Sequence, residues 1–554
     1  MSDVVQYRSR PFVCGAIGRW DTRMMRRLVQ AGPDGLVTAI DVPGAVLLAS
    51  GELDTWSSEA QRGVFWSSFS SGDMPTSWQS ASELRLAGGL VVGDEGPVLH
   101  NDALGLGEIY VRSLDGGLYF AARIDPLLTL DDRKLHVDWA AWASTLSLGS
   151  PVGDATPFAE IRRIEAASAW TPSGRGHRHL RFEPSFIAAS SEGRALEPAE
   201  LAERIRPRIP RPSPLGRVHL TFSGGWDSRL LAGLAASVPR GRVRAWTTSP
   251  DDGLDLDVVL SRPVAEALDL HQEVLVPGPD AWAEEVDVVR ARVQYQTWMH
   301  TWLMPLARRL HEERGPVLDG LAGDVLLKSL FVNQRILAGA SSAEQRARLW
   351  SALGGARLGK GELITSTASR AVGELSWQSF DGATQHVKGH EMALCLSVLL
   401  TRTTRAVAAS PLLLFGPECN VSLPFVHPDV MTEALRIPVR SKLGGEYYRR
   451  LLESVCGPVV ADLRSTNDPR PTMERGQRRQ ARRGAVTRLL SEIREDDVVR
   501  PMLGTALREL TGTSSDLAAV RSQDSRLAAL QALGLLASWR STYAERLVSE
   551  ASPF

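Results

Sequence analysis

The residues whose types and spacing point most directly to chemistry are Ser223-Gly224-Gly225-Trp226-Asp227-Ser228-Arg229. They follow the short apolar run Val218-His219-Leu220-Thr221-Phe222 and open a helical pattern, DSRLLAGLAASV. At such a strand-to-helix junction the first N–H groups of the helix lack carbonyl partners, and the helix dipole adds partial positive charge. An anion is favoured there. Gly224 and Gly225 let the main chain turn tightly and approach a phosphate without an intervening Cβ, while the hydroxyls of Ser223 and Ser228 add donors. Asp227 is the discordant residue, since a carboxylate beside phosphates makes sense chiefly when a divalent cation bridges the two. Asp324 offers a second carboxylate, at the end of Asp319-Gly320-Leu321-Ala322-Gly323-Asp324 and after the strand-like Pro316-Val317-Leu318.

The Ser-Gly-Gly-x-Asp-Ser pattern is similar to the pyrophosphate-binding loop of ATP pyrophosphatases, and through it the chain resembles the asparagine synthetase class-B superfamily. The Asp319–Asp324 loop resembles that superfamily's second metal-binding loop. Pro417–Phe425 resembles its segment ending in Pro-Phe before a helix, with His427 near the place of the family's aspartate. The resemblance implies ATP and magnesium (Mg2+) as cofactors, with Asp227 and Asp324 as metal ligands. It also implies nucleotide contacts from Leu220, Thr221, Ser223, Gly224, Gly225, Asp227, Ser228 and Gly320, with adenine beside Trp246 and Thr247 at the next strand-like run. A loop that grips the β and γ phosphates leaves the α-phosphorus open. A carboxylate would then become an acyl-adenylate, and an amine would release AMP, with the departing charge stabilised by metal and N–H groups.

Cys14-Gly15-Ala16-Ile17-Gly18 and Gly32-Pro33-Asp34 resemble parts of a glutaminase domain, which would supply ammonia as the amine. Such an enzyme needs its cysteine as residue 1, because the α-amine serves as base to the thiol. Thirteen residues precede Cys14, and Ala31 stands where the family has an arginine, so this half reads as degenerate. The amine must then arrive on the substrate, as in β-lactam synthetases and lasso-peptide macrocyclases. The β-lactam branch carries a tyrosine at the position of Leu321 and a lysine just after Asp462-Leu463-Arg464, where this chain has Ser465-Thr466-Asn467-Asp468. Arg229 after the loop serine, Gly149–Phe158, the Gly-Leu-Ala-Gly-Asp loop and the Ser-Thr-Asn run resemble the lasso-peptide cyclases.

That resemblance implies a macrolactam synthetase. It would adenylate an Asp or Glu side chain of a leader-cleaved precursor peptide and join it to the peptide's own α-amine. Its partners would be that peptide, a leader-binding protein and a leader peptidase. An α-amine has an ordinary pKa of about 7.7–8.0, so a neutral fraction exists without a strong base. Glu391 is the expected base by analogy with the β-lactam branch, and Lys442 is expected to neutralise phosphate charge; both are read as catalytic. Two alternatives stand beside this reading: another amide-forming synthetase of the superfamily, and a non-catalytic nucleotide-binding scaffold of a biosynthetic complex.

Positioning these residues requires a parallel sheet. VHLTF, VRAWTT, HQEVLV and PVLDGL alternate with helical patterns, which predicts parallel strands covered by helices, and from about 335 the pattern is mostly helical. Before about 190, LVTAIDVPGAVLLAS, GLVVGDEGPVLH and EIYVRSLDGGLYFAARI are strand-like and separated by Gly, Pro and Asp turns, as in antiparallel sheets. A small, polar and then Pro-rich stretch between 188 and 215 marks the boundary. The expected fold is an α+β glutaminase-like (Ntn-hydrolase-like) sandwich domain over 1–195. An α/β synthetase domain of the PP-loop type (adenine nucleotide α-hydrolase-like) follows over 196–554, these family names being what the resemblance implies.

Composition narrows the partners. With 63 Lys+Arg against 64 Asp+Glu, the chain has no overall attraction to nucleic acid or anionic lipid. The basic stretch 470–488 is the exception and reads as a solvated helix or loop, with a docking surface for an acidic peptide as the sharper alternative. Four scattered cysteines without a Cys-x-x-Cys pair suggest reduced thiols in a cytoplasmic protein and no structural zinc. No signal-like N-terminus is evident, and the apolar run from Leu527 is too short to span a bilayer. Only five of the basic residues are lysines, among them Lys328 and Lys442, so lysine-based chemistry has few candidates. Gly354–Gly361 matches a Walker loop except for its last residue, but a helical run precedes it, so no phosphate site is expected there. Tyr295, Trp298 and Trp302 fall at helical spacing and are expected to form a core stripe or to line a cavity.

Overall fold

The computed structural model describes residues 11–58, 61–67, 77–84, 87–174, 176–190, 193–212, 216–239, 241–249, 253, 255–278, 280–355, 357–358, 362–416, 419–466, 483–510 and 525–554. Most of the basic stretch 470–488, Pro417, Glu418, Asn467, Asp468 and Gly359–Gly361 lie outside them.

The early strands are β1 (Phe12–Gly18), β2 (Val37–Val42), β3 (Ala45–Ser50), β4 (Asp54–Ser57), β5 (Gln61–Ser67), β6 (Ala87–Gly93), β7 (Gly96–His100), β8 (Tyr110–Leu114), β9 (Gly117–Ala121), β10 (Ile161–Arg163), β11 (Ser168–Ser173) and β12 (Gly176–Arg181). They build two six-stranded antiparallel sheets, ordered β10-β8-β9-β1-β3-β2 and β12-β11-β7-β6-β5-β4. The three strand-like runs become the hairpins β2–β3, β6–β7 and β8–β9, whose turns hold Gly44, Gly96 and Gly116 at positive φ. Alternation along β1 divides its side chains between two layers. Val13 and Ile17 join Leu90, Leu99 and Phe120 between the sheets, while Cys14 and Ala16 face the other way, in a cluster with Leu28 and Trp142. On the far face of the second sheet, Trp78 and Ala81 pack on Phe65 and Val91.

The later strands are β13 (Val218–Thr221), β14 (Val243–Thr248), β15 (His271–Leu275), β16 (Pro316–Leu318) and β17 (Asn420–Ser422). All pair in parallel, in the order β15-β14-β13-β16-β17, so β13 is central. The first four are the predicted runs. β17 was not foreseen as a strand: three residues are too few to show alternation, and only their place beside β16 defines them.

The chain's last helices return to the N-terminal half. Leu489 and Ile493 of the helix Arg483–Glu495, and Leu533 and Trp539 of the helix Ser525–Thr542, belong to the same buried cluster as Cys14 and Trp142. The helical run Ala393–Phe415 has the length and apolarity of a membrane span, but 78% of its apolar window is buried inside the fold, as in a core helix. The expected aromatic stripe does not form. The helix Ala281–Arg292 ends before Tyr295 because Gln294 and Tyr295 both adopt positive φ. Tyr295 instead bonds Thr542 Oγ1 through its hydroxyl at 3.0 Å, and Trp298 donates to the Thr145 carbonyl at 3.3 Å.

Candidate functional site

The loop Phe222–Gly225 leaves the carboxyl end of the central strand β13 and enters the helix Trp226–Leu234. Neighbouring segments hold it from three sides. From β14, the Trp246 carbonyl accepts the Phe222 N–H at 2.8 Å, and the Thr247 hydroxyl donates to the Phe222 carbonyl at 2.8 Å. Within the loop, Ser228 Oγ accepts the Ser223 N–H at 3.1 Å and donates to the Ser223 carbonyl at 3.0 Å, a local cross-link between loop and helix. The Gly224 carbonyl accepts from Ser465 Oγ at 2.8 Å and from the Thr466 N–H at 3.1 Å, while the Gly224 N–H donates to Asp257 at 3.2 Å. Gly224 has to be glycine, because a Cβ there would lie 2.9 Å from Leu260 Cβ and 3.1 Å from Thr466.

Ser465 and Thr466 reach the loop because Arg229 holds the segment before them. This fully buried guanidinium donates to the carbonyls of Val460, Leu463 and Arg464 at 2.8–2.9 Å. The Arg229 position and the Ser-Thr run, more than 230 residues apart in sequence, are thus one unit in the fold.

Asp227 and Asp324 come together at the mouth of the loop. The Asp324 N–H donates to Asp227 Oδ2 at 2.8 Å, and the Tyr448 hydroxyl donates to Asp227 Oδ1 at 2.5 Å. Gly320 and Gly323 permit this approach: a Cβ on Gly323 would stand 2.7 Å from Asp227 Cγ, and one on Gly320 would stand 3.0 Å from Asp227 Cβ. Burial, and then the neighbouring Asp324 charge, push the Asp227 carboxyl well above the usual range; burial likewise raises Asp324. Two cations offset the pair. Lys328 acts on both carboxylates, with its ammonium 5.0 Å from the centre of the Trp226 ring, and Arg402 acts on Asp324. Asp319 fixes the second loop, accepting from Thr221 Oγ1 at 2.8 Å and from the Leu321 N–H at 2.9 Å. Thr221, Ser223, Gly225, Asp227, Asp319, Gly320, Asp324 and Lys328 are each partly exposed amid buried neighbours.

No protein-family model matches the chain, and no curated protein matches it. The site therefore has to be read from its own geometry.

The other expected residues fall in several places. Leu220 is fully buried in the sheet. The side chains of Trp246 and Thr247 are buried as well: the indole N–H of Trp246 donates to His219 at 3.0 Å, so this pair bears on the loop from β14 and presents no open face to a ligand. Lys442 is fully buried, and its Nζ has no hydrogen-bond partner among the described residues; burial lowers its pKa to about 8. It interacts with Cys395, whose thiol donates to the Val325 carbonyl at 3.1 Å, next to Asp324. Glu391 is exposed and lines a cavity that includes no residue of the loop or of the carboxylate pair. His427 is buried and held to about 4 by burial and the Arg208 charge, while Phe425 two residues earlier closes against Gly323. Cys14 is fully buried, and burial raises its thiol to about 12.

Tyr448, Asp257 and Lys328 were missed in sequence. Tyr448 and Asp257 carry no local signal, since their contacts are with residues far along the chain. Lys328 had a weak one: it is a rare lysine, and it lies four residues after Asp324 on the same helix face.

Among the described residues no group of three or more His, Cys, Asp or Glu side chains is arranged to hold a metal. Two carboxylates suit a cation that takes its remaining ligands from phosphate and water, as magnesium does. Asp227 and Asp324, two carboxylates brought together through the Asp324 N–H, fit that ion as a donor set. The loop's own N–H groups are taken up by Ser228, Asp257 and Ser223 Oγ, so the groups that could meet an anion here are the first-turn N–H groups of the helix Trp226–Leu234, with the carboxylate pair and Lys328 beside them.

Proposed function

We propose that the chain is an ATP-dependent, AMP-forming amide ligase, and that its substrate is a leader-cleaved peptide in which an Asp or Glu side chain is joined to the peptide's own α-amine, as in lasso-peptide cyclases. One observation carries the reading. A Ser-Gly-Gly-Trp-Asp-Ser turn at the carboxyl end of a central parallel strand is clamped from three sides, and its Asp227 meets Asp324 from the loop after the adjacent strand. On this reading the two antiparallel sheets are a glutaminase-like sandwich of the Ntn-hydrolase type, and the parallel sheet is a PP-loop synthetase core.

The contacts support the following division of labour. The N–H groups of the first turn of the helix Trp226–Leu234 would bind the outer phosphates, while Ser228, Asp257 and the Arg229–Ser465–Thr466 clamp fix the loop's shape. Asp227 and Asp324 would hold magnesium, which neutralises charge on the departing pyrophosphate. Lys328, positioned by Trp226, adds a second positive charge. Tyr448 orients the Asp227 carboxylate. The peptide carboxylate attacks the α-phosphorus, and its α-amine then displaces AMP, forming the isopeptide bond. The leader-binding protein and leader peptidase would supply the free α-amine.

Burial of Cys14 favours a substrate-borne amine over ammonia released from glutamine, because a thiol held at about 12 and closed to solvent cannot act as nucleophile. The test is incubation with ATP, magnesium and a candidate leader-free peptide. AMP and pyrophosphate in equal amounts with a product lighter than the peptide by one water support the reading. A primary amide formed from added glutamine or ammonia overturns it in favour of an amidotransferase. ATP binding with no AMP release from any peptide leaves the non-catalytic scaffold.

A further inference from the structure

A second cavity, of about 710 Å3, lies between the early sheets and the helical run that starts at Ala393. Its size is in the range of about 300–1,000 Å3 usual for ligand sites. Leu104, Phe182 and Phe186 form one wall, and Leu396, Leu399 and Leu400 the other. The charged groups around it are unevenly matched. Arg181 is ion-paired with Glu165, and burial with the Arg181 charge holds His386 to about 4, so at neutral pH that ring is uncharged. His390 has both ring nitrogens engaged, Nε2 with Ser190 Oγ at 3.1 Å and Nδ1 with the Met392 N–H at 2.9 Å. Glu183 and Glu391 remain, both exposed and neither carrying an ion pair among the described residues. An apolar floor below two unmatched carboxylates complements an apolar ligand that carries a positive charge.

The cavity also has a defined relation to the carboxylate pair. Leu396 and Leu399 line it, while Cys395 of the same turn contacts the Val325 carbonyl beside Asp324. Residues of a single helical turn thus border both. We propose that this cavity binds a segment of the peptide substrate bearing apolar side chains and one lysine or arginine, apart from the reacting carboxyl and amine. Glu391 then serves as a binding anion at the cavity mouth. The identity of the ligand as substrate rests on the peptide-ligase reading; the cavity's preference for an apolar cation does not.

The experiment measures fluorescence anisotropy of two labelled, end-blocked tetrapeptides, Leu-Phe-Arg-Phe and Leu-Phe-Glu-Phe, without nucleotide. The Arg peptide is expected to bind at least about tenfold more tightly than the Glu peptide. Glu183→Gln with Glu391→Gln should erase that preference while keeping the fold, since both side chains are exposed. Leu399→Trp, whose larger side chain narrows the cavity, should weaken binding of both peptides, and Asp227→Asn should bind as wild type. Equal binding of the two peptides, no binding, or undiminished binding to Leu399→Trp overturns the proposal. If charge-selective binding persists but no peptide elicits AMP, the cavity stands and only the ligase reading falls.

Discussion

Cys14 and Asp227 are both reactive-type side chains in motifs of the kind that drive catalysis, and burial raises the pKa of both, yet the fold treats them oppositely. Cys14 lies inside an apolar cluster, and a Cβ on the adjacent Gly15 would stand 2.1 Å from the Val46 carbonyl oxygen. Among the described residues no cation or hydrogen-bond donor acts on that thiol to stabilise a thiolate. Asp227 is partly exposed and has Tyr448, the Asp324 N–H and Lys328 around it. Burial by itself makes a group inert, whereas burial beside donors and cations leaves a carboxylate able to meet an ion.

The widest separation between the two regions should come from removing each group in turn. Asp227→Asn or Asp324→Asn is expected to lower peptide-dependent AMP release by about 10²–10⁴-fold, and Cys14→Ala to leave it within about twofold. Comparable losses at Cys14 and Asp227 would break the contrast. Gly323→Ala comes next: its methyl would collide with the Asp227 carboxyl and the buried Phe425 ring, and the displacement should cost about 10–10²-fold in AMP release together with a lower melting temperature.

Lys328→Met should lower kcat/KM for ATP about tenfold, equivalent to about 1.4 kcal/mol, with Lys328→Arg recovering part of it. If both variants lose thermal stability and kinetics stay unchanged, the lysine only balances the buried carboxylates. Smaller effects concern stability alone. Lys442→Met, measured by urea unfolding at pH 7, should stabilise the fold by about 1–3 kcal/mol by removing a buried ammonium without a hydrogen-bond partner. Because the folded protein holds Lys442 at about 8 and the unfolded chain near 10.5, the unfolded state binds more protons between those values. Wild-type stability should therefore rise with pH across that window, and the Met variant should lose that rise. The acidic pair has the opposite sign. Its carboxyls are raised in the fold, so their contribution is present below the ordinary carboxyl range and is lost as pH climbs through their folded values. Asp227→Asn should flatten that decline in a pH series of thermal melts.

The sequence alone determined what depends on neighbours a few residues apart. Alternation and turn glycines disclosed the early hairpins, the apolar runs disclosed four of the five parallel strands, and the Ser-Gly-Gly-Trp-Asp-Ser turn marked the strand-to-helix junction. These features follow from backbone geometry repeated every two or four residues, which a linear pattern records. Only the tertiary structure decided which residues meet across long separations. It set Tyr448 against Asp227, tied Ser465 to Gly224 through Arg229, buried the side chain of Trp246, and carried Glu391 to another cavity. Those outcomes depend on how helices and sheets pack and on which face each side chain presents once packed, and no local spacing encodes them.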